Sequence, residues 1–336
     1  MKKIFSLVLV LALVLSAFVG CNNSQQGNTP TDNAEATPTA EAYTPVDIKV
    51  GALMGPTGMG MSKLMDDAKK KTAANNYTFE LFSAPTDITG LIINGELNIA
   101  AVPTNLAATL YNKTKGQVQL LALNTLGVLY VLEKGNTVNS IKDLEGKKIY
   151  SSGQAATPQY ALDYVLKANG IKCEVEYFAT HAELATQALS GNADIILIPE
   201  PQVSTILSKN SEFRIAVDFN AAWDEATENK SLFSMGCLVV RKDFAENNAD
   251  AVAKFLEEYA ASVKYVNENP ENGGKLIAEY GIVPSEAIAK KAIPNAKMVT
   301  ISGEEMKTKT IPYLQILFDS NPTSIGGAMP GNDFYY

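Results

Sequence analysis

Two glycine- and hydroxyl-bearing segments of this sequence have the residue types to hold a ligand. They are Gly55-Pro56-Thr57-Gly58-Met59-Gly60 and Ser151-Ser152-Gly153-Gln154-Ala155-Ala156-Thr157, each set between a strand-like run and a helix-like run. Glycine lets a backbone come close to a ligand, and the start of a helix offers N–H groups without intrahelical partners. Gly55, Thr57, Gly58, Ser151, Ser152, Gly153, Gln154 and Thr157 are therefore candidate contacts. The competing readings are a tight turn for the first segment and a helix cap for Thr157. A second pair, Pro103-Thr104-Asn105 and Pro199-Glu200-Pro201-Gln202, follows two strand-like runs and adds Thr104, Asn105, Glu200 and Gln202. Glu200 can accept from a ligand amine or ring nitrogen, or can simply stand at a helix N-terminus, where the dipole favours it. Thr125 at a strand end and Trp223 in a polar loop complete the set, against readings as a turn residue and a packing anchor.

Catalytic and metal chemistry is poorly supported. His181 is the only histidine and has no Cys or His neighbour at ligand spacing, so no transition-metal site is expected. One histidine does not readily support a Ser-His-Asp or Cys-His arrangement, and no phosphate-binding lysine motif is present. No cofactor is expected, and the chain does not read as an enzyme. Met54, Met59 and Met61 beside a helix read as core filling rather than as copper ligands. Arg214 opens a strand, and Arg241 closes one expected to run antiparallel to its neighbours. Neither is placed to clamp an amino-acid carboxylate with its planar fork. Backbone N–H groups with Thr57, Ser151 and Ser152 are the expected anion contacts, and the expected solute is a sulfonate-like anion or a planar heterocycle.

The elements that position these residues repeat. Gly95-Glu96-Leu97-Asn98-Ile99-Ala100-Ala101-Val102-Pro103 returns 96 residues later as Gly191-Asn192-Ala193-Asp194-Ile195-Ile196-Leu197-Ile198-Pro199. Phe79-Glu80-Leu81-Phe82 likewise aligns with Val175-Glu176-Tyr177-Phe178. This period is too long for a solenoid of short repeats. Strand and helix patterns alternate from Val46, so the expectation is α/β: two doubly wound lobes of similar topology, with ligands beyond the carboxyl ends of their strands. The chain crosses twice, near residues 125–132 and 231–237. Those crossings divide it into lobe I, 46–128 with 236–336, and lobe II, 129–235.

The N-terminus gives an address. Met1-Lys2-Lys3, an apolar run over Ile4–Val19 and Gly20-Cys21 form a secretory signal over 1–20, too short and wrongly flanked to span a membrane. Residues 21–45 are rich in Asn, Gln, Thr, Pro and Ala and read as a disordered tether. Residues 1–20 carry two lysines and no acid, so of 28 basic and 36 acidic residues the remainder keeps 26 and 36, a formal charge of −10. With no basic tract, nucleic acid is not an expected partner. Cys173 and Cys237 fall in different lobes and read as small apolar residues rather than as a disulfide.

The segment Phe18-Val19-Gly20-Cys21 resembles a bacterial lipobox, with Phe18 where leucine is usual. That resemblance implies a lipid on Cys21. The tether, the Gly-rich segment after the first strand, Ser140-Ile141-Lys142-Asp143-Leu144-Glu145-Gly146-Lys147-Lys148, and the return Leu238-Val239-Val240-Arg241-Lys242-Asp243-Phe244 resemble the solute-binding lipoproteins of ABC importers. The chain is similar to their two-crossover group, which includes sulfonate, taurine, nitrate and thiamine-precursor binding proteins. The resemblance implies a type II periplasmic-binding-protein fold and a monomer tethered to the extracytoplasmic face of the membrane. It implies two partners, a small solute and a membrane permease. An enzyme, or a sensor or adhesin lipoprotein on the same scaffold, is the alternative.

Overall fold

Alternation of apolar residues explains how the strands are buried. The computed structural model describes residues 43–154 and 156–336. The expected signal, the Cys21 lipidation site and most of the tether lie outside the described residues. Among the described residues eleven strands follow in order: β1 (Asp47–Leu53), β2 (Asn76–Phe82), β3 (Ile99–Pro103), β4 (Val118–Leu126), β5 (Leu129–Lys134), β6 (Lys148–Ser152), β7 (Glu174–Phe178), β8 (Ile195–Pro199), β9 (Phe213–Asp218), β10 (Ser234–Arg241) and β11 (Met298–Ile301). Along β3, Ala100 and Val102 enter one apolar cluster while Ile99 and Ala101 enter another; in β10, Cys237 and Val239 oppose Leu238 and Val240 in the same way. Successive side chains point to opposite faces, so a strand covered on both faces reads as a continuous apolar run.

The strands form two sheets with one plan. The first has the order β11-β4-β10-β3-β1-β2 and the second β7-β6-β8-β5-β9. β1 pairs parallel with β2 and β3, as β6 does with β7 and β8. β10 runs antiparallel between β3 and β4, as β5 does between β8 and β9. The 96-residue repeat is visible in the result: β3 and β8 are offset by that interval, and Gly95 and Gly191 before them both have φ of 81°. The α/β architecture of two doubly wound sheets agrees with the expectation from the sequence.

Only Gly127-Val128 separates β4 from β5, and the return strand begins beside that point, with Ser234 paired to Leu126. One apolar cluster runs through both sheets and includes Leu123, Leu129, Leu197, Trp223 and Tyr313. The outer face of the first sheet carries helices at Ser62–Lys70, Ala249–Glu268 and Pro270–Glu279. Among the described residues no helix is long and apolar enough to cross a membrane.

Two local expectations need correction. Pro56–Met59 is a helical turn rather than a loop, because Pro56 is pre-set for a first helical position and Gly55 at φ 93° turns the chain into it. Thr157 does not cap its helix: Thr157–Ala168 begins with Thr157 itself, and Ala156 stands at the cap.

Candidate functional site

At the carboxyl ends of β1, β3, β4 and β8, residues of both sheets enclose a cavity of about 360 Å³. Small-molecule sites are usually concave, largely apolar and supplied with a few placed polar groups. Six prolines line this one: Pro56, Pro85, Pro103, Pro199, Pro201 and Pro284. Its polar side chains are Thr57, Ser83, Thr125, His181, Glu200 and Gln202, and no lysine or arginine is among the lining residues. A larger depression of about 780 Å³ separates the helices Thr157–Ala168 and Gly303–Ser320. It lies away from the strand ends and touches none of the candidates, so size alone does not mark the site.

The structure brings five candidates to the cavity: Gly55, Thr57, Thr125, Glu200 and Gln202. The others lie elsewhere. Trp223 is fully buried, stacked on Phe233 at 4.9 Å with its indole N–H donating to Ser231 O at 2.9 Å, so it is a packing anchor. Thr104 is buried and shares a 2.7 Å hydrogen bond with Ser234. Asn105 accepts from the Thr157 hydroxyl at 3.2 Å, joining elements of the two sheets outside the cavity. Ser151 and Ser152 are fully buried; the Ser151 hydroxyl donates to Ser152 O, and Ser152 Oγ lies 2.6 Å from His181 Nδ1. Gly58 and Gly153 do not line the cavity, and neither does the exposed Gln154. A Cβ at Gly58 would meet Leu53 O at 2.6 Å, and one at Gly153 would meet Pro158 Cγ at 2.8 Å, so protein rather than ligand occupies the space beside each glycine.

The expected anion cradle is also largely used up. Gly55 N–H donates to Ile282 O, Pro56 has no N–H, and the N–H groups of Gly58 and Met59 both donate to Gly55 O. Thr125 spends its hydroxyl on Asn124 Oδ1 at 2.9 Å, and Asn124 in turn donates to Thr57 O at 3.1 Å. Arg214 pairs with Glu133 and Arg241 with Asp243, both outside the cavity.

Glu200 is the cavity's acid and is 1% exposed. Burial pushes its pKa up, against hydrogen bonds from Ser204 N, Ser204 Oγ and Asn295 Nδ2 that favour the carboxylate. Asn295 precedes β11 and packs with the first sheet, so its 3.2 Å bond to Glu200 connects the two sheets at the cavity.

His181, favoured by the sequence neither as a metal ligand nor as part of a catalytic arrangement, lines the cavity wall. The residue is exposed, but neighbouring atoms crowd its ring on the side that faces the cavity wall. That enclosure holds its pKa below the ordinary histidine value, less so wherever water reaches the ring. Thr180 caps the following helix by accepting from Glu183 N at 3.0 Å, which sets His181 in its first turn beside the end of β6. Ile282, Pro284 and Met235, also in the wall, come from segments in which the sequence offers no site signal.

Residues 83–273 match the model of the NMT1/THI5-like family. The chain belongs to the NMT1/THI5-like family. No curated protein sequence matches it. This NMT1/THI5-like chain is similar in structure to an ABC transporter from Parabacteroides distasonis, with 24% identity and a TM-score of 0.75 over 86% of this chain and 98% of that one. It is also similar to the periplasmic aliphatic sulphonate binding protein SsuA from Escherichia coli, with 14% identity and a TM-score of 0.68 over 87% and 92%. The periplasmic nitrate-binding protein NrtA from Synechocystis PCC 6803 shares 15% identity and a TM-score of 0.53 over 78% and 74%. The fold is thus that of periplasmic binding proteins.

Proposed function

We propose that this NMT1/THI5-like chain is the solute-binding component of an ABC import system at the extracytoplasmic face of the membrane. Lobe I (46–128 with 236–336) and lobe II (129–235) close on the solute, since only the closed state lets both contact it. A lipid on Cys21 and the tether after it hold the protein near its permease, raising its effective concentration there.

The solute we infer is a small, flat nitrogen heterocycle, neutral or cationic. One observation carries this reading: the cavity holds a buried carboxylate, Glu200, and no lysine or arginine. An anion entering it would lose its hydration shell without gaining a cationic partner. The SsuA and NrtA proteins are named for anions. Here, however, the backbone and hydroxyl donors expected for a sulfonate are mostly engaged with protein. A heterocycle can instead donate N–H to Glu200 and lay its faces on proline and methionine side chains. The Ser152–His181 contact does not favour an enzyme, because a nucleophile must reach its substrate and Ser152, unlike Glu200, is not among the cavity's lining residues.

Calorimetric titration with pyrimidines, purines, alkanesulfonates, taurine and nitrate tests this. Binding confined to the heterocycles is expected. Submicromolar affinity for a sulfonate or nitrate would overturn the solute class.

A further inference from the structure

The serine beside the cavity's histidine settles which hydrogen-bonding face that histidine presents. Ser152 Oγ is fully buried at the end of β6, and its one side-chain partner among the described residues is His181 Nδ1 at 2.6 Å. A neutral imidazole donates at one ring nitrogen and accepts at the other. If Nδ1 carried the proton, it would donate to Ser152 Oγ, and the buried serine O–H would be left without an acceptor among the described residues. An unsatisfied buried donor is costly, so the alternative is preferred: Ser152 O–H donates to Nδ1, and the ring proton sits on Nε2. The lowered pKa of His181 agrees with a neutral ring at neutral pH.

We propose that Ser152 fixes His181 in the Nε2–H tautomer and so makes His181 the hydrogen-bond donor with which this cavity selects solutes that carry an acceptor. Together with Glu200 it gives the cavity a two-point pattern, an acceptor for a solute N–H and a donor for a solute ring nitrogen or carbonyl oxygen. Ser152 is a positioning residue and His181 the specificity residue. The inference rests on the solute-site reading above and deepens it: the cavity favours a solute that presents an N–H and an acceptor on one molecule.

The test exploits a property of the sequence. His181 is the only histidine, so two-bond 1H–15N correlation spectra of 15N-labelled protein carrying no added histidine report a single imidazole. With no solute present and at a pH where the ring is neutral, the Nε2–H pattern is expected, turning to a tautomer mixture in Ser152→Ala and returning in Ser152→Thr. An Nδ1–H pattern in the wild type, or an unchanged pattern in Ser152→Ala, overturns the assignment. The selection arm compares 4-aminopyrimidine with aniline, which keeps the amine and lacks ring acceptors. His181→Phe should cost 4-aminopyrimidine about tenfold in affinity, the scale of one lost hydrogen bond, and leave aniline within twofold. Equal losses for both would sink the donor role. If no heterocycle binds the wild type at all, the proposed solute class fails, and the solute-free spectra still decide the Ser152–His181 relation.

Discussion

Lys297 Nζ stands 2.7 Å from Asp218 Oδ2, joining the residue before β11 in the first sheet to the last residue of β9 in the second. The neighbouring Asn295 reaches Glu200 and also accepts from the Tyr130 hydroxyl at 3.0 Å. Lys291 donates to Ser208 at 3.1 Å on the same flank. Of these residues Glu200 alone lines the cavity, and the links exist only while the two sheets are this close.

Loss of the Lys297–Asp218 pair should therefore weaken solute binding modestly and leave the fold intact. Both partners are partly exposed, which limits such a pair to roughly 0.2–1 kcal/mol, or up to about fivefold in affinity. Asp218→Asn suits the test better than alanine, because Asp218 Oδ1 also accepts from Asn220 N at the head of the next helix. Calorimetry at low salt and at 1 M salt should show the difference between wild type and variant shrinking as ions screen the pair. A loss of a hundredfold would mean that Asp218 touches solute.

Glu200 and His181 should pull stability in opposite directions with pH. The Glu200 pKa is raised in the folded chain, so the folded state holds its proton more tightly than the unfolded state does. Its contribution is full below the ordinary carboxylate range and is lost as pH climbs to the raised folded value. His181 is shifted down, so its contribution is present above the ordinary histidine value and is lost as pH falls through the lowered one. Urea denaturation between pH 4 and 8 should show the first slope flattened in Glu200→Gln and the second in His181→Gln. Slopes unchanged by either substitution would contradict the assigned shifts.

Gly153→Ala and Gly58→Ala should cost stability rather than solute contacts. Gly153 has φ of 82°, a conformation strained for any side chain, and its Cβ would press on Pro158. Gly58 would set a Cβ against the backbone oxygen of Leu53, which cannot swing aside as a side chain can. A loss of about 1–3 kcal/mol is expected for each, read from the urea midpoint. Affinity among molecules that still fold should stay within about threefold, the weight of a fraction of one hydrogen bond.

Cys21→Ser should release the protein from the membrane or block its processing, since the proposed anchor is a lipid on that thiol. Detergent phase partitioning and the mass of the cell-associated chain check this directly. Unchanged partitioning with unchanged processing would remove the lipid anchor.

Local pattern made the strands legible, whereas proximity between distant segments was hidden. β3 and β8 could be read because each is a continuous apolar run closed by a proline, and their recurrence implied the shared sheet plan. Glu200 follows such a run directly, so its place at a strand end was readable, and that strand end lies at the cavity. Ser151 and Ser152, expected as anion contacts, are buried, because a strand end that looks exposed in sequence is covered here, with Ser152 held against His181 from 29 residues further on. Asn295 and Lys297 reach residues 95 and 79 positions away, and nothing in their own neighbourhood announces it. Trp223 shows the converse: a polar loop in sequence becomes the helix Phe219–Ala226, which turns the indole into the core.

The position of β10 has a consequence for how the chain is completed. β10 lies between β3 and β4 and supplies a hydrogen-bonding edge to each, yet it comes after the entire second sheet in the sequence. A chain is synthesised from its N-terminus, so β3 and β4 must wait for residue 241 with those edges bare, while β5 to β9 form one uninterrupted stretch that can assemble without them. Apolar strands with open edges invite pairing with other chains. The first sheet is thus the one most in need of shielding while the chain is being made, even though most of its strands come first.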